Sequence, residues 1–128
     1  MDRQQYIDVV ENYFAALDQR RLDDVLTYFN QDCVFTVQSA FIVCEGHHGV
    51  REMFDQFLET YEHVVHTDFE HIVDPVSHAI SSRFRVELDR FDGGHETKQS
   101  VNHWYFRGDK FQRVYVWISG DNVLGEAE

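Results

Sequence analysis

The hydrophobic period of this chain changes near residue 61, and that change limits the folds open to it. Before it, Tyr6, Val9, Val10, Tyr13, Phe14 and Leu17 recur at helical spacing, the apolar stripe of an amphipathic helix. Leu22, Val25, Leu26 and Phe29 repeat the pattern for a short second helix, split from the first by DQRR. Two short strands, CVFTV and AFIVC, precede a third helix in which Val50, Met53, Phe54, Phe57, Leu58 and Tyr61 share a face. The rest is β: HVVHTDFEHIVD, SHAISSRFRVELDRF, HETKQSVNHWYFRG and DKFQRVYVWISGD, separated by turn-forming residues at Asp74 and Pro75, at 92–94 and at 107–109. Consecutive long strands with short breaks pair antiparallel. The expected architecture is α+β, with three N-terminal helices packed on a strongly curved, mostly antiparallel sheet.

A chain of 128 residues suffices for one domain with a real core, and 1–128 reads as a single domain. Eleven Lys and Arg against twenty-three Asp and Glu leave a net charge of −12. Such a field repels phosphate backbones and anionic lipid surfaces, which disfavours nucleic acid and membrane partners. No apolar run is long enough to span a bilayer. The N-terminal MDRQQYIDVVENYF lacks the apolar block of a secretion signal, so a cytoplasmic setting is expected. Cys33 and Cys44 suit it as reduced thiols.

Read as residues alone, the chemistry-bearing positions are ambiguous. Tyr13 on an apolar stripe is an ordinary core residue. Asp18 falls where the first helix should end, and a carboxylate there meets the unfavourable end of the helix dipole. The helical repeat sets Tyr13 and Asp18 about 140° apart, so they converge only if the chain turns inward at Asp18. Asn102 lies between aromatic neighbours on a core-facing strand and needs a partner or a ligand. His47 and His48, near Glu45, suggest metal, but sequence neighbours point apart and no metal site is expected.

Several stretches resemble the SnoaL-like group of the nuclear transport factor 2-like superfamily, the cystatin-like cone fold. They are VVENYFAALDQRRLDDVLTYFNQDCVF, EGHHGVREMF and NHWYFRGDKFQRVYVW. Within that superfamily the pattern is selective. In ketosteroid isomerases Tyr13 would match the enolate-binding tyrosine and Asn102 the acid beside it, but the base position falls at about Val37. The polyketide cyclase acid falls near Val116. The bile-acid dehydratases fit better, because their Y-F-x-x-L-D is similar to YFAALD, Tyr13 to Asp18. They and the scytalone dehydratases place a histidine on the strand after the third helix, where His66 stands. The second histidine of the scytalone enzymes falls at about Leu88.

The resemblance implies a cofactor-independent lyase or isomerase, with Tyr13 polarising a carbonyl, His66 moving a proton and Asp18 orienting the imidazole. Its expected reaction is dehydration of a hydrophobic polycyclic or aromatic hydroxy-carbonyl compound, held in an apolar pocket by Asn102, Trp104 and Phe54. Elimination of water beside a carbonyl needs a base for the C–H, an acid for the departing hydroxide and a donor for the enolate. A histidine serves as base and then acid, and no metal or cofactor is required. Two other classes stay open: a binding or assembly protein without chemistry, and an epoxide hydrolase, which needs an Asp–Arg–Asp set. Apolar area on both faces of the final strands, Trp104 and Phe106 on one and Tyr105 on the other, suggests a homodimer through the sheet.

Overall fold

In a computed structural model describing residues 1–125, the chain runs α1 (Arg3–Asp18), α2 (Leu22–Leu26), β1 (Phe29–Val37), a 3-10 turn (Gln38–Ala40), β2 (Ile42–Glu45) and α3 (Gly46–Thr60). It continues as β3 (Tyr61–Asp74), β4 (Ala79–Arg90), β5 (His95–Arg107) and β6 (Lys110–Ile118). α1 begins in a capping box. The Asp2 carboxylate accepts from the Gln5 main-chain N–H at 2.9 Å, and the Gln5 side-chain oxygen accepts from the Asp2 N–H at 2.7 Å, which satisfies two otherwise orphaned donors. The α1 stripe of Tyr6, Val10, Tyr13, Phe14 and Leu17 is buried, as are Val50, Met53, Phe54 and Phe57 of α3.

The six strands form one sheet in the order β2-β1-β6-β5-β4-β3. The last four pair antiparallel in sequence, and β1 joins β6 in parallel while pairing β2 antiparallel. The sheet curls without closing, so β2 and β3 remain edges. Along β5, Lys98, Ser100, Asn102, Trp104 and Phe106 point into the concave side, whereas Thr97, Gln99, Val101 and Tyr105 face out. The helices fill the concave side. The outer face keeps Val101, Tyr105 and Trp117 exposed.

Some elements depart from the sequence reading. Phe29 opens β1 instead of closing the second helix. β2 starts only at Ile42, because Phe41 is left-handed at φ 57°. His47 and His48 sit in the first turn of α3 rather than in a preceding loop; His47 bonds the Phe29 carbonyl at 2.8 Å and His48 lies in solvent near Glu52. Cys33 and Cys44 are free thiols.

β3 breaks its alternation twice. The pairing with β4 shifts between Tyr61 and His63 and again between Thr67 and Glu70, with Asp68 at φ 60°. Each bulge switches which parity faces inward. Tyr61 points in, then Val64 and His66, then Phe69, His71 and Val73. No helix among the described residues is long and apolar enough to cross a membrane.

Candidate active site

The end of α1 brings its last carboxylate to β3. The N–H of Arg20 donates to the Leu17 carbonyl at 2.9 Å and that of Arg21 to the Ala16 carbonyl at 3.0 Å, the two bonds of a Schellman ending. The residue in the left-handed position is Arg20, at φ 61°, where glycine is usual. A side chain there costs about 1–2 kcal/mol. The sharp ending leaves Asp18 as the final helical residue, aimed back at the sheet.

Asp18 holds His66 at two points. Its Oδ2 accepts from the main-chain N–H of His66 at 2.9 Å, and its Oδ1 lies 2.5 Å from His66 Nδ1. The main-chain contact is possible because β3 is an edge strand whose outward N–H groups have no sheet partner. A carboxylate only accepts, so Nδ1 carries a hydrogen, and in the neutral form of the ring Nε2 is the acceptor. The side chains are 7% and 21% exposed, so the contact is largely withdrawn from water. Phe14 packs on the imidazole with ring centroids 4.4 Å apart, and Phe84 lies at 5.4 Å.

The imidazole borders a tight cavity of about 40 Å³ between the helices and the concave sheet. Tyr13, Phe14, Phe54, Phe84 and Asn102 border it too, and Val123 and Leu124 from the chain after β6 close one side. Tyr13 is 1% exposed, and among the described residues no hydrogen bond engages its hydroxyl. Burial pushes that hydroxyl well above the usual tyrosine range, and the negative charge of Asp18 adds to the rise. Tyr13 therefore stays protonated and can donate. Asn102, buried on β5, accepts from the Ser100 hydroxyl at 3.2 Å, which leaves its amide hydrogens without a protein acceptor among the described residues.

Trp104 does not border the cavity. It stacks on Phe111 at 5.6 Å and is wholly buried, because α1 fills the concave side at that level with Phe14 at 5.9 Å. Val37 is also buried outside the cavity, whereas Leu88 and Val116 border it as apolar wall. Among the described residues bordering the cavity, Tyr13 and His66 are the two ionisable groups, and no Asp or Arg is among them. Nor do three or more metal-ligating side chains cluster anywhere among the described residues.

A profile of the SnoaL-like domain matches residues 10–114. The chain belongs to the SnoaL-like domain family. Solved structures agree on the fold at low identity. A protein assigned as a polyketide cyclase from Xanthomonas campestris pv. campestris superposes with a TM-score of 0.82 at 13% identity, over 90% of each chain. One assigned as an isomerase from Bacillus subtilis gives 0.83 at 10% identity, over 93% of this chain and 90% of its own. TerC, solved with polyporic acid, gives 0.76 at 16% identity, over 88% and 89%. No curated protein matches by sequence.

Three residues around this cavity escaped the sequence reading. Phe14 and Phe84 pack against each other on one side of the imidazole, and Ser100 bonds Asn102. Strand parity carries the signal for Ser100, two residues before Asn102 on the same face. Adjacency to Tyr13 hints at Phe14. For Phe84 the signal is the β3–β4 register, which the bulges obscure.

Proposed function

We propose that this domain catalyses cofactor-independent proton transfer on an apolar aromatic or polycyclic carbonyl compound, with loss of water as the reaction. The observation that carries this reading is the double contact of Asp18 with His66, which leaves Nε2 as a base beside an apolar cavity. Among the described residues, His66 is the carboxylate-bound imidazole that borders this cavity. The hydrocarbon walls and the sparse polar groups suit a largely apolar ligand, and TerC, solved with polyporic acid, is a structural relative holding a small organic molecule.

In this mechanism a ligand carbonyl lies against the Tyr13 hydroxyl. His66 Nε2 takes a proton from the carbon beside that carbonyl, and the electron pair moves toward oxygen. The Tyr13 O–H stabilises the enolate without net charge. Asp18 stabilises the imidazolium formed. The enolate then expels the hydroxyl one carbon further on, the imidazolium returns its proton to the departing oxygen, and water and a conjugated carbonyl result. The Asn102 amide donates to a second ligand oxygen.

A β-hydroxytetralone tests the scheme, since loss of water converts it to a fluorescent naphthol. Turnover that disappears in His66→Ala supports the reading. Turnover equal in wild type and His66→Ala sinks it and favours a binding protein. We also propose that the outer sheet face, with Val101, Tyr105 and Trp117 exposed, is covered by a second copy of the chain.

A further inference from the structure

We propose that Arg20 is a positioning residue for the Asp18–His66 pair, locking the end of α1 to the start of β3. This rests on the reading of His66 as the proton-transferring group. Arg20 lies two residues after Asp18 and occupies the left-handed position of the Schellman ending, a conformation that favours glycine. An arginine at such a position calls for a compensating role of its side chain.

The guanidinium supplies that role. Its Nη1 donates to the carbonyls of Tyr61 at 2.6 Å and Glu62 at 3.1 Å, and its Nη2 donates to the carbonyl of Leu58. Leu58 is in the last turn of α3, where carbonyls lack intrahelical donors. Tyr61 and Glu62 open β3. One planar fork thus ties three carbonyls across the α3–β3 junction, a geometry that a lysine cannot copy. The Phe91 ring lies beneath it at 5.9 Å.

The need for such a tie comes from the bulges. The β3–β4 register shifts between Tyr61 and His63, so sheet pairing fixes the entry of β3 weakly, four residues before His66. On the other side, Asp18 is the last residue of α1, directly after the buried Leu17. Arg20 spans both ends. Through it the carboxylate and the imidazole share one frame, although the residue touches neither.

The two histidines of β3 make the test specific. His71 also binds a carboxylate, with Nε2 2.8 Å from Glu11 Oε2 and Nδ1 2.6 Å from the Ser82 hydroxyl. It meets α1 well before its C-terminal end and serves as an internal reference. Arg20→Gly removes the guanidinium while suiting the left-handed backbone. Nitrogen-15 NMR of the histidine rings in the full chain reads the outcome. The expected result is loss of the Asp18-bonded Nδ1 proton signal of His66 and mixing of its tautomers, with His71 unchanged and guanidinium ion at millimolar concentration restoring His66. An unchanged His66 spectrum overturns the proposal. So does a joint change of His66 and His71, which marks general loosening. If Arg20→Gly fails to fold, Arg20→Lys reads the same way: the His66 signal weakens if the fork is required, and its persistence overturns the proposal. The readout does not involve turnover, so failure of the proton-transfer reading shows separately, as activity that survives His66→Ala.

Discussion

Asp18, the last residue of α1, grips His66 on β3 by both its main-chain N–H and its ring Nδ1, at 2.9 and 2.5 Å across 48 positions of sequence. The two contacts differ in consequence. The main-chain bond holds the strand edge against the helix end, and the ring bond sets the tautomer. A carboxylate at a helix C-terminus faces an unfavourable dipole, and these hydrogen bonds offset it.

Replacement of Asp18 by Asn tests the orienting role. The amide keeps the shape and can still accept one hydrogen bond, but it does not stabilise an imidazolium. Turnover of the β-hydroxytetralone should fall by about 10²–10⁴-fold, the range of a lost general acid–base contribution, with far-ultraviolet circular dichroism unchanged. Equal rates for both proteins would show that the contact serves only to join helix and strand.

Tyr13 makes a pH prediction. Its pKa is raised in the folded state by burial first and the Asp18 charge second, whereas in the unfolded chain it ionises near 10. The folded state thus holds the proton where the unfolded state releases it, and stability falls as pH rises above that unfolded value. Below it, the contribution is fully present. Tyr13→Phe should flatten the alkaline decline in melting temperature and delete no tyrosinate step from an absorbance titration of the folded protein. A step lost below alkaline unfolding would mean that the hydroxyl is hydrated.

For Asn102, the free amide hydrogens are the point of interest. Asn102→Leu should weaken binding of a naphthol probe by about 1–3 kcal/mol, the cost of leaving a ligand oxygen unpaired. The fold should survive, because the single Ser100 hydroxyl hydrogen, shared between Asn102 Oδ1 at 3.2 Å and the Trp117 carbonyl at 2.9 Å, keeps the second acceptor after the change. Isothermal titration alongside thermal melting separates the outcomes. Loss of folding with unchanged affinity in the remaining folded protein would make Asn102 structural.

The outer sheet face predicts assembly. Light scattering at micromolar concentration should give twice the chain mass of 15.2 kDa, and Val101→Glu, placing a charge among exposed apolar residues, should halve it. A wild-type monomer excludes the second copy.

Much of this architecture was legible. The stripe through Tyr6, Val10, Tyr13, Phe14 and Leu17 and the one through Val50, Met53, Phe54 and Phe57 became the buried faces of α1 and α3, since a 3.6-residue period allows an apolar row only one dry side. β5 kept a strict two-residue alternation from Thr97 to Phe106, apart from a partly buried His103, so the inward facing of Asn102 could be read by counting. The role of Trp104 could not. Parity aims it inward, but only the packing of α1 decides whether an inward residue meets a cavity or a helix.

His66 shows where the sequence stops. Its facing depends on two bulges in β3, one of them at Asp68 in a left-handed conformation, and no alternation rule survives a bulge on either side. Asp18 lies about 140° around the helix from Tyr13, and nothing local says that the chain will end in a Schellman turn carried by an arginine. By itself the sequence determined what local periodicity determines: the helices, the strands, their dry faces and an acidic surface. The resemblance of YFAALD to the dehydratases raised the pairing of Asp18 with His66, and the tertiary structure decided it, because that contact joins a helix end to an edge strand through space, where neither periodicity nor propensity acts.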